Sequence, residues 1–372
     1  MIGRGEEAAE LAHELANGLN RMMAGPRRMG KTTLCRAALD VLRNEDYYVA
    51  EVDLFAVSDL AQMAERLIDA VTANRPVLQR ARHAAARGGR KVASAVSLTP
   101  VARLRVELGD ELSMALEPSW RRREPMAALE RALRLAQRVC EVDDKRLIVL
   151  IDEFQELAAP HQPFGDPDRV TKMMRSTLQD CDRLTTIFAG SVEHMMRDLF
   201  GPEHRAFHRW GGWHELWTIE PEAWRDGLMK RFDAHRIRIS PEIAGQLADL
   251  GEGHARATML IAKQAYLAAI TAGEGTVKAE TVVVALDMAL AADAPFHDVI
   301  VEDLRQAGRH VLGIAEHIAR GEPPYQDRSR PTAAQRAIQV LDRKGLVEKT
   351  SPTGRGGWRI IDPLLRRYLV KR

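Results

Sequence analysis

The sequence predicts an α/β fold: a parallel sheet with crossover helices, then a small helical domain, then a C-terminal helix–hairpin domain. Three observations carry that expectation. The opening alternates helix, short strand, glycine-rich turn, helix and strand, the pattern that begins a parallel sheet. After Arg146, the run Leu147-Ile148-Val149-Leu150-Ile151 is apolar on consecutive residues, as in a strand covered on both faces. From Pro221 to about Ala292 strand signals stop, and helical spacing is punctuated by Ser240-Pro241 and Gly251-Glu252-Gly253.

At 372 residues the chain is long for one core, and two or three domains are expected. Helical apolar spacing covers Glu6 to Leu19. Arg21 to Ala24 is a short strand, and a helix follows the glycine turn through Leu42. Tyr47 to Leu54 is a second strand, and Leu60 to Val71 is helical. Arg75 to Pro118 is irregular and reads as an insertion holding a hairpin near Val101–Leu108. A helix from Met126 to Val139 precedes the apolar strand. Leu184 to Ala189 is a fourth strand, closed by Gly190-Ser191, and His214 to Ile219 a fifth, closed by Glu220-Pro221. The alanine-rich Ala291-Ala292-Asp293-Ala294-Pro295 marks a boundary, which divides the chain into residues 1–221, 222–294 and 295–372.

Composition is that of a globular chain, 45% hydrophobic and 28% charged. No apolar run is long enough to cross a bilayer, so no membrane partner is expected. The first residues lack a secretory signal, and Cys35, Cys140 and Cys181 are odd in number without metal-ligand spacing. They read as buried thiols in a reducing compartment, the cytoplasm. Net charge is +2, but positive charge is concentrated. Arg75 to Arg105 contains eight Lys/Arg and no acid, and His297 to Arg372 contains fifteen Lys/Arg against nine Asp/Glu. Such clustering suits a polyanion or simply a solvated face.

Gly25-Pro26-Arg27-Arg28-Met29-Gly30-Lys31-Thr32 matches the phosphate-loop pattern G-x-x-x-x-G-K-[ST] in full. Small residues let successive backbone N–H groups face phosphate oxygens, and the following helix, entered through Thr33, adds its positive N-terminal end. Lys31 is placed to neutralise β- and γ-phosphates, and Thr32 to ligate Mg²⁺. The second element is Asp152-Glu153, at the carboxyl end of the apolar strand. Asp152 suits the magnesium shell, and Glu153 suits the orientation of an attacking water. ATP and Mg²⁺ are the cofactors these two motifs call for.

Ile2-Gly3-Arg4 with Glu6-Glu7, the phosphate loop, Ile151-Asp152-Glu153-Phe154-Gln155-Glu156 and Ala189-Gly190-Ser191 occur in an order that resembles the archaeal-type STAND ATPases. These are relatives, within the AAA+ class, of the origin-recognition initiator ATPases. The resemblance spans about residues 2 to 260. It implies an AAA+/STAND P-loop core with a five-stranded parallel sheet, a helical lid and often a C-terminal winged helix. It also implies that Gly3 and Arg4 lie near the adenine, and that Ser191 is the polar γ-phosphate sensor, where many relatives carry asparagine or threonine. Arg256, in Gly253-His254-Ala255-Arg256, falls where the initiators carry a second sensor arginine. Arg205 or Arg209 would present an arginine finger to a neighbour's ATP, or would pair with local acids as ordinary helix-end arginines.

In the C-terminal region, a helix from Arg330 to Leu341, a short strand at Lys344–Lys349, a turn and a strand at Gly357–Ile361 have the winged-helix order. In a version that binds double-stranded DNA, Gln335, Arg336 and Gln339 face the major groove, and Arg355 and Arg359 meet phosphates. Winged helices also dock proteins. The leading expectation is an ATP-binding and ATP-hydrolysing switch that promotes assembly, as a homo-oligomer or with a protein partner, or engages DNA. The alternatives are a STAND regulator with a protein partner, and a DNA-loading or transposition-helper ATPase. The three tryptophans Trp210, Trp213 and Trp217 are expected at the junction of core and lid.

Overall fold

The computed structural model describes residues 1–26, 28–76, 124–159, 164–191, 193–201, 203–216, 218–323, 331–350 and 357–372. Most of the expected basic insertion, including Val101–Leu108, lies outside the described residues, as do Arg27, Trp217 and Arg355. The chain divides into two compact units: Glu7–Ala24 with Lys31–Glu215, and Met1–Glu6 with Gly25–Gly30 and Leu216–Arg372.

The first unit is a parallel sheet flanked by helices. In chain order it contains α1 (Gly5–Ala16, its first residues belonging to the second unit), β1 (Arg21–Ala24), α2 (Lys31–Asn44), β2 (Tyr48–Asp53), α3 (Leu60–Ala73) and α4 (Pro125–Asp143). It continues with β3 (Leu147–Asp152), α5 (Pro167–Gln179), β4 (Leu184–Gly190), α6 (Glu193–Phe200) and β5 (Gly212–Glu215). The five strands lie in the order β2-β3-β4-β1-β5, and every pairing is parallel. β3 and β4 are buried along their whole length, which is why their sequences are continuous in apolar and small residues. Phe154, Phe188, Phe200 and Phe207 form one aromatic cluster with neighbouring centroids 4.5–6.0 Å apart. Cys35, Cys140 and Cys181 are buried free thiols.

One expectation is corrected here. The fifth strand begins and ends earlier than His214–Ile219, because it pairs residue for residue with the four-residue β1, from Arg21↔Gly212 to Ala24↔Glu215. Trp210 is half-buried and Trp213 exposed, and both meet residues of this unit. The Trp210 indole donates to Thr186 Oγ1 at 2.9 Å, and Trp213 meets Phe200 edge-on.

The second unit contains α7 (Pro221–Ala234), α8 (Pro241–Gly251), α9 (Ala255–Thr271), α10 (Ala279–Ala307), α11 (Arg309–Ala319), α12 (Pro331–Arg343), β6 (Val347–Lys349), β7 (Trp358–Ile360) and α13 (Pro363–Lys371). Ser240 caps α8 by accepting from Ile243 N, with Pro241 in the first turn where no N–H is needed. The alanine-rich stretch expected to separate two domains lies inside α10, with Pro295 in the helix interior. Alanine is the strongest helix former, and that preference continues the helix through the proline. α10 contributes Val282, Ala285 and Ala289 to one apolar cluster and Val301 and Leu304 to a second. The second cluster also takes Ala337 and Leu341 of α12 and the antiparallel β6–β7 pair. Among the described residues no helix is long and apolar enough to cross a membrane.

Candidate nucleotide site

Strand register brings the chemistry to one edge of the sheet. β1, β3 and β4 are adjacent and parallel, so the turns after Ala24, Asp152 and Gly190 leave the same carboxyl edge. Ligands of open α/β sheets gather at such an edge. The phosphate-loop segment runs from Ala24 through Gly25 (φ 156°), Arg28 (φ 69°) and Gly30 (φ 93°) into the first residue of α2, Lys31. The positive φ at Gly30 is the reason that position needs glycine. Pro26 is half-buried, Met29 buried and Thr33 exposed, whereas Lys31 is buried at the helix N-terminus.

Thr32 Oγ1 donates to Asp152 Oδ2 at 2.7 Å, which links the two motifs across 120 positions of sequence. The other oxygen, Asp152 Oδ1, accepts from Glu153 N at 2.9 Å. A hydroxyl and a carboxylate side by side are hard oxygen donors of the kind Mg²⁺ prefers. Glu153 itself is left-handed (φ 51°), which turns its side chain out of the strand direction. Its Oε2 accepts from Ser191 Oγ at 2.7 Å and from Gln155 Nε2 at 2.5 Å. Gln155 Oε1 in turn accepts from Ser191 N at 3.2 Å.

Gln155 was not singled out by the sequence reading, yet it is 1% exposed and ties Glu153 to the end of β4. Its amide lies so close to β4 that a Cβ on Gly190 would stand 2.5 Å from Gln155 Oε1. Asp53 is a second addition. It ends β2 directly opposite Asp152, and its carboxyl is raised above the usual range, first by burial and then by Asp152, Glu153 and Glu51. The edge is therefore rich in negative charge, an arrangement that a divalent cation and Lys31 suit.

The other expected residues are placed as follows. Ser191 is buried at the end of β4. Arg205 forms an ion pair with Asp168 at the start of α5, and Arg209 is exposed with φ 54°. In the second unit, Gly3 has φ 66° and Arg4 is buried. His254 caps α9 by accepting from Ala257 N at 3.2 Å, and Arg256 sits in that helix's first turn. Arg256 makes a two-pronged ion pair with Asp293, and this hydrogen bonding raises its already high pKa further. Gln335, Arg336 and Gln339 are exposed on α12, opposite its buried Ala334, Ala337, Ile338 and Leu341. Arg359 pairs with Glu348 across the hairpin at 2.6 Å.

No family model matches the sequence, and no curated protein matches it. Solved structures do match in shape. The Walker-type ATPase PABY2304 of Pyrococcus abyssi aligns with a TM-score of 0.67 at 16% identity, over 99% of this chain and 96% of that one. The ORC2 protein of Aeropyrum pernix, in ADPNP–ADP complexes, aligns with a TM-score of 0.59 at 17% identity, over 99% and 92%. The chain thus shares the fold of these two structures.

Proposed function

We propose that the chain is a Mg²⁺-dependent ATPase that works as a switch: ATP sets one state and slow hydrolysis resets it. The observation that carries this reading is the connected set Thr32–Asp152 and Glu153–Ser191–Gln155 at the sheet edge that follows a complete phosphate-loop sequence. Backbone N–H groups of the Gly25–Gly30 loop and the Lys31 ammonium bind the triphosphate. Thr32 and Asp152 hold Mg²⁺, which supplies charge neutralisation on the phosphoryl oxygens when bound. Glu153 orients a water and accepts its proton, and Ser191 and Gln155 fix the direction of that carboxylate. Gly3 and Arg4 border the adenine, and Arg256 reads the phosphates. Arg205 or Arg209 serves a neighbouring copy. Fold likeness to an ATPase and to a protein solved with ADPNP and ADP supports the reading. The test is ATP binding and hydrolysis by wild type and Lys31→Ala. Equal nucleotide affinity in the two would remove the basis for the site.

The domain reading that goes with this function is a core, a helical lid over residues 222–294 and a winged helix over 295–372, acting in the cytoplasm. α12 with the β6–β7 hairpin supports the last part, and the local positive excess supports duplex DNA as its ligand. One observation favours a protein partner instead: Arg359 is already engaged by Glu348. Titrating the full chain with duplex DNA at several salt concentrations, with and without ATP, separates the two. DNA affinity that falls steeply with salt supports the nucleic-acid reading.

A further inference from the structure

Within the second unit, two arginines face two aspartates: Arg256, which the nucleotide reading assigns to the phosphates, and the exposed Arg28 of the phosphate-loop sequence. Asp293, 2% exposed on α10, receives Arg256 on both carboxylate oxygens. Asp362, the N-cap of α13, uses Oδ1 to accept from Leu364 N and Leu365 N, and its Oδ2 faces Arg28 Nη1 at 3.9 Å. Arg28 is part of the phosphate-loop sequence itself. Between the carboxylates lies His297, fully buried, with neither ring nitrogen hydrogen-bonded and Nε2 3.7 Å from Asp293 Oδ2. The Tyr368 ring covers it at 5.2 Å, but that hydroxyl donates to Asp298 instead.

The charges explain this arrangement. Two carboxylates and two guanidiniums balance, so His297 stays neutral. Burial holds it below the ordinary histidine value, although Asp362 and Asp293 pull the other way while Arg28 and Arg256 assist burial. Burial alone would raise the Asp293 carboxyl, but Arg256 keeps it below the usual range. Ligand atoms of Asp293, His297 and Asp362 lie within 4.8 Å of one another, close enough for a metal ion. A dication added to a balanced cluster would leave two uncompensated positive charges, so the guanidiniums already fill that role. If both arginines leave, Asp293 is stranded in a buried site with the half-buried Asp362 close by, and the orphaned imidazole between them is the nearest group able to carry a compensating proton.

We propose that Asp293 and Asp362 form a counter-charge latch: they hold Arg256 and Arg28 in the nucleotide-free chain, yield them to the phosphates of ATP, and are then compensated in part, by one of the two charges, through a proton taken up at His297. The inference rests on the nucleotide reading given above. Its sign follows from linkage. His297 has a low pKa when the latch is closed and a higher one when it is open. ATP binding therefore takes up a proton, and ATP affinity rises as pH falls through the histidine range.

The test is calorimetric titration of the full chain with Mg²⁺ and a non-hydrolysable ATP analogue near pH 7, in two buffers of contrasting ionisation heat. Wild type should take up a clear fraction of a proton per nucleotide more than His297→Gln, a comparison that cancels protons exchanged by the nucleotide itself. Equal uptake in the two overturns the latch. Asp293→Asn, which keeps the shape but releases the competing charge, should bind the analogue about tenfold more tightly, because the competent state no longer has to be drawn from a latched one. Unchanged or weaker affinity in a variant that keeps the wild-type circular dichroism overturns it as well. Binding that Lys31→Ala leaves intact defeats the nucleotide reading, and the latch with it. Binding that requires Lys31 but moves no proton defeats the latch alone.

Discussion

The carboxyl edge of the sheet and the outer face of α12 both carry charged residues, and they are built in opposite ways. At the sheet edge Lys31, Asp152 and Ser191 are each about 5% exposed, and Asp152, Glu153 and Ser191 are engaged by fixed neighbours. On α12, Gln335, Arg336 and Gln339 project from an exposed face whose underside alone is packed. Buried polar groups persist only when satisfied, so the first arrangement constrains which residue stands at each position. An exposed charge carries little free energy in the isolated chain, so the second arrangement leaves its purpose open.

The contrast is sharpest under mutation. Lys31→Ala should have the largest effect, with ATP binding at least about 100-fold weaker, given about 3 kcal/mol for hydrogen bonds to a charged group; calorimetry or fluorescent-nucleotide titration reads it. Glu153→Gln should keep ATP and lose roughly 10²–10⁴-fold in hydrolysis, as expected when a general base is removed. Gln155→Leu should slow turnover by about tenfold with ATP affinity little changed, because Glu153 keeps its base but loses one of the donors that orient it. A proportionate loss of affinity and melting temperature would instead mark Gln155 as structural. On α12 the expected effects are smaller and depend on salt. Arg336→Ala should leave DNA-free ATP hydrolysis intact and lower the salt slope of DNA binding by roughly one if it meets a phosphate, or blur sequence preference if it meets a base edge. Arg359→Ala should change DNA affinity least, since Glu348 already occupies the guanidinium. A large effect there would show that DNA displaces that pair.

Legibility in the sequence follows the same division. The phosphate loop and Asp152-Glu153 are contiguous strings next to strands whose apolar runs announce burial, so position and chemistry can be read together. Gln155 carries no such mark, because its importance comes from its approach to Gly190 and Ser191, residues 35 and 36 positions away. Asp293 and Asp362 are equally silent: they matter through Arg256 and Arg28, and contacts between distant positions leave no local periodicity. The last strand of the sheet was placed late because its limits are set by its short partner β1 rather than by its own residues. The alanine–proline stretch at Ala291–Pro295 reads as a break in the chain, whereas the helix absorbs the proline and the apolar clusters change over along it, between Leu290 and Val301.

That uninterrupted helix has a mechanical consequence. At 29 residues α10 is about 44 Å long, and it is the beam to which both apolar clusters of the second unit are fastened. A straight beam transmits rotation: a tilt of about 10° at one end carries the other roughly 8 Å. Pro295 is the weak point in the beam, since it lacks the N–H that would close the bond to the Ala291 carbonyl, and it stands between Asp293 and His297. Bending stiffness along α10 is therefore lowest where the paired charges sit, so a change in their balance acts on the helix between its two clusters.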